Sequence, residues 1–296
     1  AMTPEEIIDS RYLLGVIQST VKAPNDEHVS YRLDVTLPRT GEGLLLRGQR
    51  VKTDGSWYHV LREIPLATPT LADPRLSFSP IIQQILLNAS YLSGGLILIS
   101  GAGGNGKSTT LAATLVSRLT VFGGLAIAVE DPPEYRLQGR HGDGLCLQFP
   151  VHDHRDFRGQ VYDALRCYPA GNRGGILMLG EIRHPEVAAL AIEAALGGLL
   201  VLATFHAMSI DTSLARIASM AGMINGVETA RRDLAQSLRL AVHQRLVNGK
   251  PDMTIMMNGE NGGSISTHIR EGHFHLLQAD IDRQNIAIRQ GRMPAM

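Results

Sequence analysis

Cysteine is nearly absent: Cys146 and Cys167 are the two in 296 residues. Two thiols cannot build a disulfide scaffold or a four-cysteine zinc site, and a reducing, cytoplasmic setting is the expectation that follows. Aromatic residues are scarce, at 5% with a single tryptophan. With so few rings and no surplus of positive charge, no stacking platform for single strands is expected, and no direct nucleic-acid binding. Lysine plus arginine number 28, as do aspartate plus glutamate, so the formal net charge is zero and charge alone implies no polyanion partner. The start AMTPEEIIDS is polar and acidic, unlike a leader peptide. One apolar stretch has membrane length, residues 188–207, but Glu193 and the pair Gly197-Gly198 interrupt it. It reads as a buried helix followed by a central strand.

What is present suits a packed core: 44% apolar and 19% charged residues, over a length that suggests about two domains. The first ~75 residues carry pieces that look like strands, YLLGVIQSTV, YRLDVTLP, GLLLRGQRV and WYHVLREIP, separated by turn residues. They predict a small α+β domain over 1–75. The four prolines of PLATPTLADPRLSFSP (65–80) predict a linker to about residue 80. From Ile81 onward, apolar runs (GLILIS, LAIAVED, GILMLGE, LLVLATFH) alternate with helical segments. Such alternation predicts an α/β fold with a parallel sheet covered on both faces, and residues 81–296 as a second domain. The part beyond Ile210 reads as mostly helical.

Residues 101–109, GAGGNGKST, satisfy two nucleotide patterns at once. Gly101, Gly103 and Gly106 give the dinucleotide spacing G-x-G-x-x-G, and Glu130 and Asp131 follow about 24 residues on, where a ribose-binding acid would stand. Gly101, Gly106, Lys107 and Ser108 give the phosphate-loop spacing G-x-x-x-x-G-K-[ST]. A dinucleotide site has no use for a lysine and a hydroxyl after the last glycine, whereas a triphosphatase needs both. Lys107 would reach the β- and γ-phosphates, the Ser108 hydroxyl would ligate Mg²⁺, and the amides of Gly103, Gly104, Asn105, Gly106, Lys107, Ser108 and Thr109 would cradle the anion. GGILMLGEIR then places Glu181 at a strand's carboxyl end, where a carboxylate can polarise an attacking water. The pair His152 and His154 around Asp153 alternates as metal ligands can, but with no further ligands nearby it reads as a polar loop.

Taken together these motifs resemble the secretion-ATPase superfamily of type II and type IV secretion and type IV pili, most closely its PilT-like and DotB/TraJ-like branch. GNGKSTTLAATL (104–115) resembles the family's Walker A segment, AVEDPPEY (128–135) its Asp box, and the stretch 178–209 its Walker B and His box. SISTHIREGHFHLLQADI (264–281) resembles the C-terminal segment of the retraction branch, and HVLREIP (59–65) the end of the N-terminal domain. His184 stands where the family commonly has an aspartate, and two cysteines cannot supply the zinc insert of the assembly branch.

The resemblance implies a RecA-like P-loop NTPase core with an N-terminal PAS-like domain, hydrolysing ATP with Mg²⁺. It implies Glu181 as catalytic glutamate, Glu130, Asp131 and Glu134 as acids arranging water and metal, and His206 as a group near the γ-phosphate. Arg62 and Arg183, inside matching motifs, become the favoured phosphate-contacting arginines ahead of Arg32, Arg216 and Arg232. It further implies a homo-hexameric cytoplasmic motor on the inner face of the bacterial inner membrane, docked on an inner-membrane platform or secretion-machine protein. Its work would be type IV secretion, conjugation or pilus dynamics. The alternatives are a regulatory ATP-binding subunit with little turnover and, less favoured, an NAD-binding oxidoreductase.

Overall fold

The computed structural model describes residues 4–21, 29–38, 40–41, 43–65, 67–151, 157–168, 174–259 and 263–294. The chain opens with helix α1 (Pro4–Thr20) and strands β1 (Val29–Thr36), β2 (Gly43–Thr53) and β3 (Ser56–Ile64), which form an antiparallel sheet in the order β1-β2-β3. YLLGVIQSTV, expected as a strand, is the second half of α1. Leu13, Val16, Ile17 and Val21 pack together with Tyr31, Leu33, Val35 and Leu46. Their spacing of three and four residues is the helical period, and it outweighs the β-branched character of the segment.

The 65–80 stretch is more than a spacer. Leu71 is fully buried against α3 (Lys107–Phe122), and its N–H donates to Ser117 Oγ at 2.8 Å. α2 (Pro80–Leu86) follows, and Asn88 caps a separate 3-10 turn over 89–93.

Beyond it lies an eight-stranded sheet. Its members are β4 (Gly95–Ser100), β5 (Gly124–Glu130), β6 (Gly139–His141), β7 (Gly144–Pro150), β8 (Ile176–Leu179), β9 (Leu200–Phe205), β10 (Leu238–Val247) and β11 (Lys250–Met257). Their order is β11-β10-β4-β9-β8-β5-β7-β6. The six inner strands are parallel, and the hairpin partners β11 and β6 run antiparallel at the two edges.

Every residue of β4, β8 and β9 is buried. Alternate residues face opposite layers, as the strand period requires. Leu96, Leu98, Val201 and Ala203 join α4 (Phe157–Arg166), α5 (Pro185–Leu196), α6 (Ile210–Asn225), α7 (Val227–Ser237) and α8 (Ser264–Glu271) on one side. Ile97, Ile99, Leu200 and Leu202 join α2, α3 and part of α9 (Leu277–Arg289) on the other.

Two expectations are refined here. Helices hold most of the described residues after Ile210, but that region also contains β10 and β11, a hairpin whose β10 pairs directly with β4. Its turn is Asn248-Gly249, both at positive φ, the residues that a tight two-residue hairpin turn favours. The sheet is therefore mixed, and GLCLQFP adds the strand β7 beside β5.

Candidate nucleotide-binding site

The carboxyl ends of β4, β5, β8 and β9 open on one cavity of about 730 Å³, within the ~300–1,000 Å³ usual for small-molecule sites. The loop from Gly101 to Gly106 leaves β4 and feeds α3, whose N-terminus aims backbone N–H groups at the cavity. The loop needs its glycines at two points. Gly101 has φ +151°, and a Cβ there would run into the carbonyl oxygen of Gln244; Gly106 has φ +75° with Gln244 Nε2 close by. Lys107 curls over the loop and donates to the Ala102 carbonyl at 2.8 Å. Burial lowers its pKa, while the negative charges of Glu181 and Glu134 pull it back up.

Glu181, one residue past Gly180 at the end of β8, is held on both sides. Arg183 Nε and a terminal nitrogen reach its Oε2 at 2.7 and 2.6 Å, and His206 Nε2 lies 3.1 Å from Oε1. Thr204 donates its hydroxyl to the Gly180 carbonyl, tying the ends of β8 and β9 together. Arg216 fixes His206 from behind: it donates to the His206 carbonyl at 2.5 Å while its guanidinium stacks on Phe205.

Glu130, at the end of β5, is completely buried. Burial pushes its pKa up to about 7, against hydrogen bonds from Gln148 Nε2 at 2.8 Å and from the Glu134 backbone N–H, which favour the charged form. Tyr135 bonds Thr109 Oγ1 at 2.7 Å, connecting this acidic loop to the first turn of α3.

The first sheet contributes arginines. Arg32, Arg47 and Arg62 lie directly opposite one another on β1, β2 and β3 and so share one face. Arg47 and Arg62 line the cavity, and Arg47 pairs with Glu134 at 2.9 Å. Like charges placed opposite one another in a sheet repel; an anion between the two sheets would relieve that repulsion.

All but one of the expected site residues line this cavity: Gly103, Gly104, Asn105, Gly106, Lys107, Ser108, Thr109, Glu130, Asp131, Glu134, Glu181, Arg183, His206 and Arg62. Gly101 lies outside it, at the root of the loop. Arg216 and Arg232 lie outside it too, Arg216 behind His206 and Arg232 against Asp233. The histidines of VHDH lie outside the described residues. Arg47 is a lining residue that sequence reasoning passed over; its alignment with Arg62 becomes visible only once the register of β2 and β3 is known. The oxygen donors Ser108 and Asp131 suit a hard cation that arrives with phosphate oxygens. Among the described residues no group of three or more His, Cys, Asp or Glu side chains could hold a metal by themselves.

The family model described as "Type II/IV secretion system protein" matches residues 22–272. The chain belongs to the type II/IV secretion system protein family. Among curated relatives in this family is the putative type II secretion system protein E of Escherichia coli K12, 32% identical over 265 residues, covering 83% of this chain and 50% of that protein. Another is the type IV pilus ATPase PilU of Pseudomonas aeruginosa, 32% identical over 228 residues, covering 74% of this chain and 55% of that one. The chain thus spans about half the length of these secretion-family relatives. Among solved structures, the pilus retraction motor PilT with bound ADP aligns over 98% of this chain and 78% of its own at TM-score 0.70 and 23% identity. The Legionella pneumophila ATPase DotB aligns over 95% and 80% at TM-score 0.66 and 21% identity. The fold of this family member is theirs. No helix among its described residues is long and apolar enough to cross a membrane.

Proposed function

We propose that this chain hydrolyses ATP and couples hydrolysis to mechanical work. The carrying observation is the meeting of Lys107, Ser108, Glu181 and two arginines of the first sheet around one cavity. Phosphoryl transfer asks for positioning and charge neutralisation more than covalent chemistry, and this set supplies both. The loop amides and Lys107 hold the phosphates. Ser108 would ligate Mg²⁺, which supplies charge neutralisation at the β- and γ-oxygens when bound. Glu181 orients the attacking water and accepts its proton, steadied by His206, while Arg183 and Arg62 balance charge on the γ-phosphate. Glu130, Asp131 and Glu134 shape the water and metal side of the cavity.

The working assembly in this reading is a homo-hexameric ring in the cytoplasm, docked through partner proteins on an inner-membrane secretion, conjugation or pilus machine. Its two units are residues 1–75 and 81–296, joined by a linker to about residue 80, and a nucleotide touching both would set their relative position. One observation favours the alternative of an ATP-binding subunit with little turnover: the same Glu181 oxygen accepts two bonds from Arg183, which competes with a water for it. The oxidoreductase reading leaves Lys107 and Glu181 at the cavity without a role.

Phosphate release from Mg²⁺-ATP across a protein-concentration series separates the readings. Motor function predicts turnover rising steeply with concentration, with losses on the order of a hundredfold or more in Lys107→Ala and Glu181→Gln. Glu181→Gln should still bind ATP. Tight ATP binding without turnover in the unaltered chain at every concentration would favour the regulatory subunit.

A further inference from the structure

Gln244 does not line the cavity and is only 1% exposed, yet its side chain is hydrogen-bonded both to the phosphate loop and to the first turn of α3. It lies one residue past His243, where the pairing of β10 with β4 ends opposite Ser100. Beyond that point β4 becomes loop, and the Gln244 side chain takes over from the ladder. Its Nε2 donates to the Asn105 carbonyl at 2.7 Å, and its Oε1 accepts from Thr110 Oγ1 at 2.8 Å. Its own carbonyl fills the space that a Cβ on Gly101 would need. Two residues on, the Leu246 N–H donates to Asn105 Oδ1 at 3.1 Å. One strand thus grips the root of the loop, its midpoint and the first turn of α3.

We propose that Gln244 is a positioning residue that makes the β10–β11 hairpin the outer wall of the nucleotide site and keeps the loop amides turned inward for phosphate. The proposal rests on the nucleotide-binding reading above. A cradle of N–H groups faces an anion only if its carbonyls face away, and a buried carbonyl facing away must find a donor. The Asn105 carbonyl finds one in Gln244. A carboxamide is required because one end donates to a carbonyl while the other accepts from a hydroxyl. Glutamate could serve Thr110 but would set an oxygen against the Asn105 carbonyl; methionine fills the volume and serves neither.

The test is calorimetric titration of the full chain with ADP, which removes turnover from the readout. It compares the unaltered protein with Gln244→Met, Gln244→Glu, Thr110→Val and the double variant Gln244→Met/Thr110→Val. Amide hydrogen exchange over residues 103–108 is measured without nucleotide. Two lost hydrogen bonds predict ADP affinity about tenfold weaker in Gln244→Met. Loop exchange should be faster while β8 and β9 exchange unchanged, and the double variant should be no weaker than Gln244→Met. A folded Gln244→Met with ADP affinity within about twofold of the unaltered chain and unchanged loop exchange overturns the proposal. If Gln244→Met does not fold, Gln244→Glu decides by the same two readouts. No ADP binding in the unaltered chain would overturn the nucleotide reading instead, and the exchange arm would still decide the clamp.

Discussion

Glu130 has a pKa pushed up to about 7, chiefly by complete burial and further by the neighbouring charge of Glu134. A carboxyl raised in the folded state from about 4.5 binds a proton that the unfolded chain has released. Its contribution to stability is therefore present in full below about pH 4.5, declines as pH rises, and is lost by about pH 7. Glu130→Gln should remove this dependence. The difference in unfolding free energy between variant and unaltered protein should grow by on the order of 3 kcal/mol from pH 4.5 to pH 8. Urea unfolding of both proteins across that range checks it, and parallel curves would refute it. Gln148 sits 2.8 Å from the carboxyl and can meet an amide as well as an acid, so the substitution leaves the local packing in place.

Among the elements, the edge strand β11 depends most plainly on a few side chains. Gln284 on α9 donates to the Met257 carbonyl at 2.9 Å and accepts from its N–H at 2.7 Å, and Asn285 does the same for Ile255. Gln284→Leu would strand a buried donor and acceptor, at about 1–3 kcal/mol each. A drop of about 2–5 kcal/mol in a urea titration is expected; a change below about 0.5 kcal/mol would mean that water meets both groups equally well. The elements differ in how legible they were. β4, β8 and β9 read clearly because strands buried on both faces become unbroken apolar runs. α1 was misread because Val16, Ile17 and Val21 look like strand residues when their spacing is ignored. The β10–β11 hairpin carried its signal in Asn248-Gly249, but the helical segments on either side hid it. In the site, residues inside contiguous motifs could be picked out one by one. Arg47 and Gln244 could not, because they reach the loop and its acids through cross-strand register and a strand far along the chain.

For the whole molecule, the contact between the two sheets matters most. Arg47 and Glu134 are 30% and 36% exposed, so their pair contributes only about 0–1 kcal/mol by itself. Arg47→Ala should leave the melting temperature of the nucleotide-free chain within a degree or two. It should weaken the stabilisation given by saturating ADP, as expected if that arginine meets phosphate rather than merely joining the sheets. Thermal melts with and without ADP decide between these roles; an equal loss in both would assign Arg47 to the fold alone. The sheet's two borders also limit how copies can join. On one side β11 spends its outward backbone groups on α9 at Ile255 and Met257, and Pro251 brings no donor. On the other, β6 is only three residues long. Neither border is a template for another strand. In the proposed ring, copies would therefore not join by extending the eight-stranded sheet from subunit to subunit, which would leave that part of each subunit free to turn against its neighbour without tearing a hydrogen-bonded ladder.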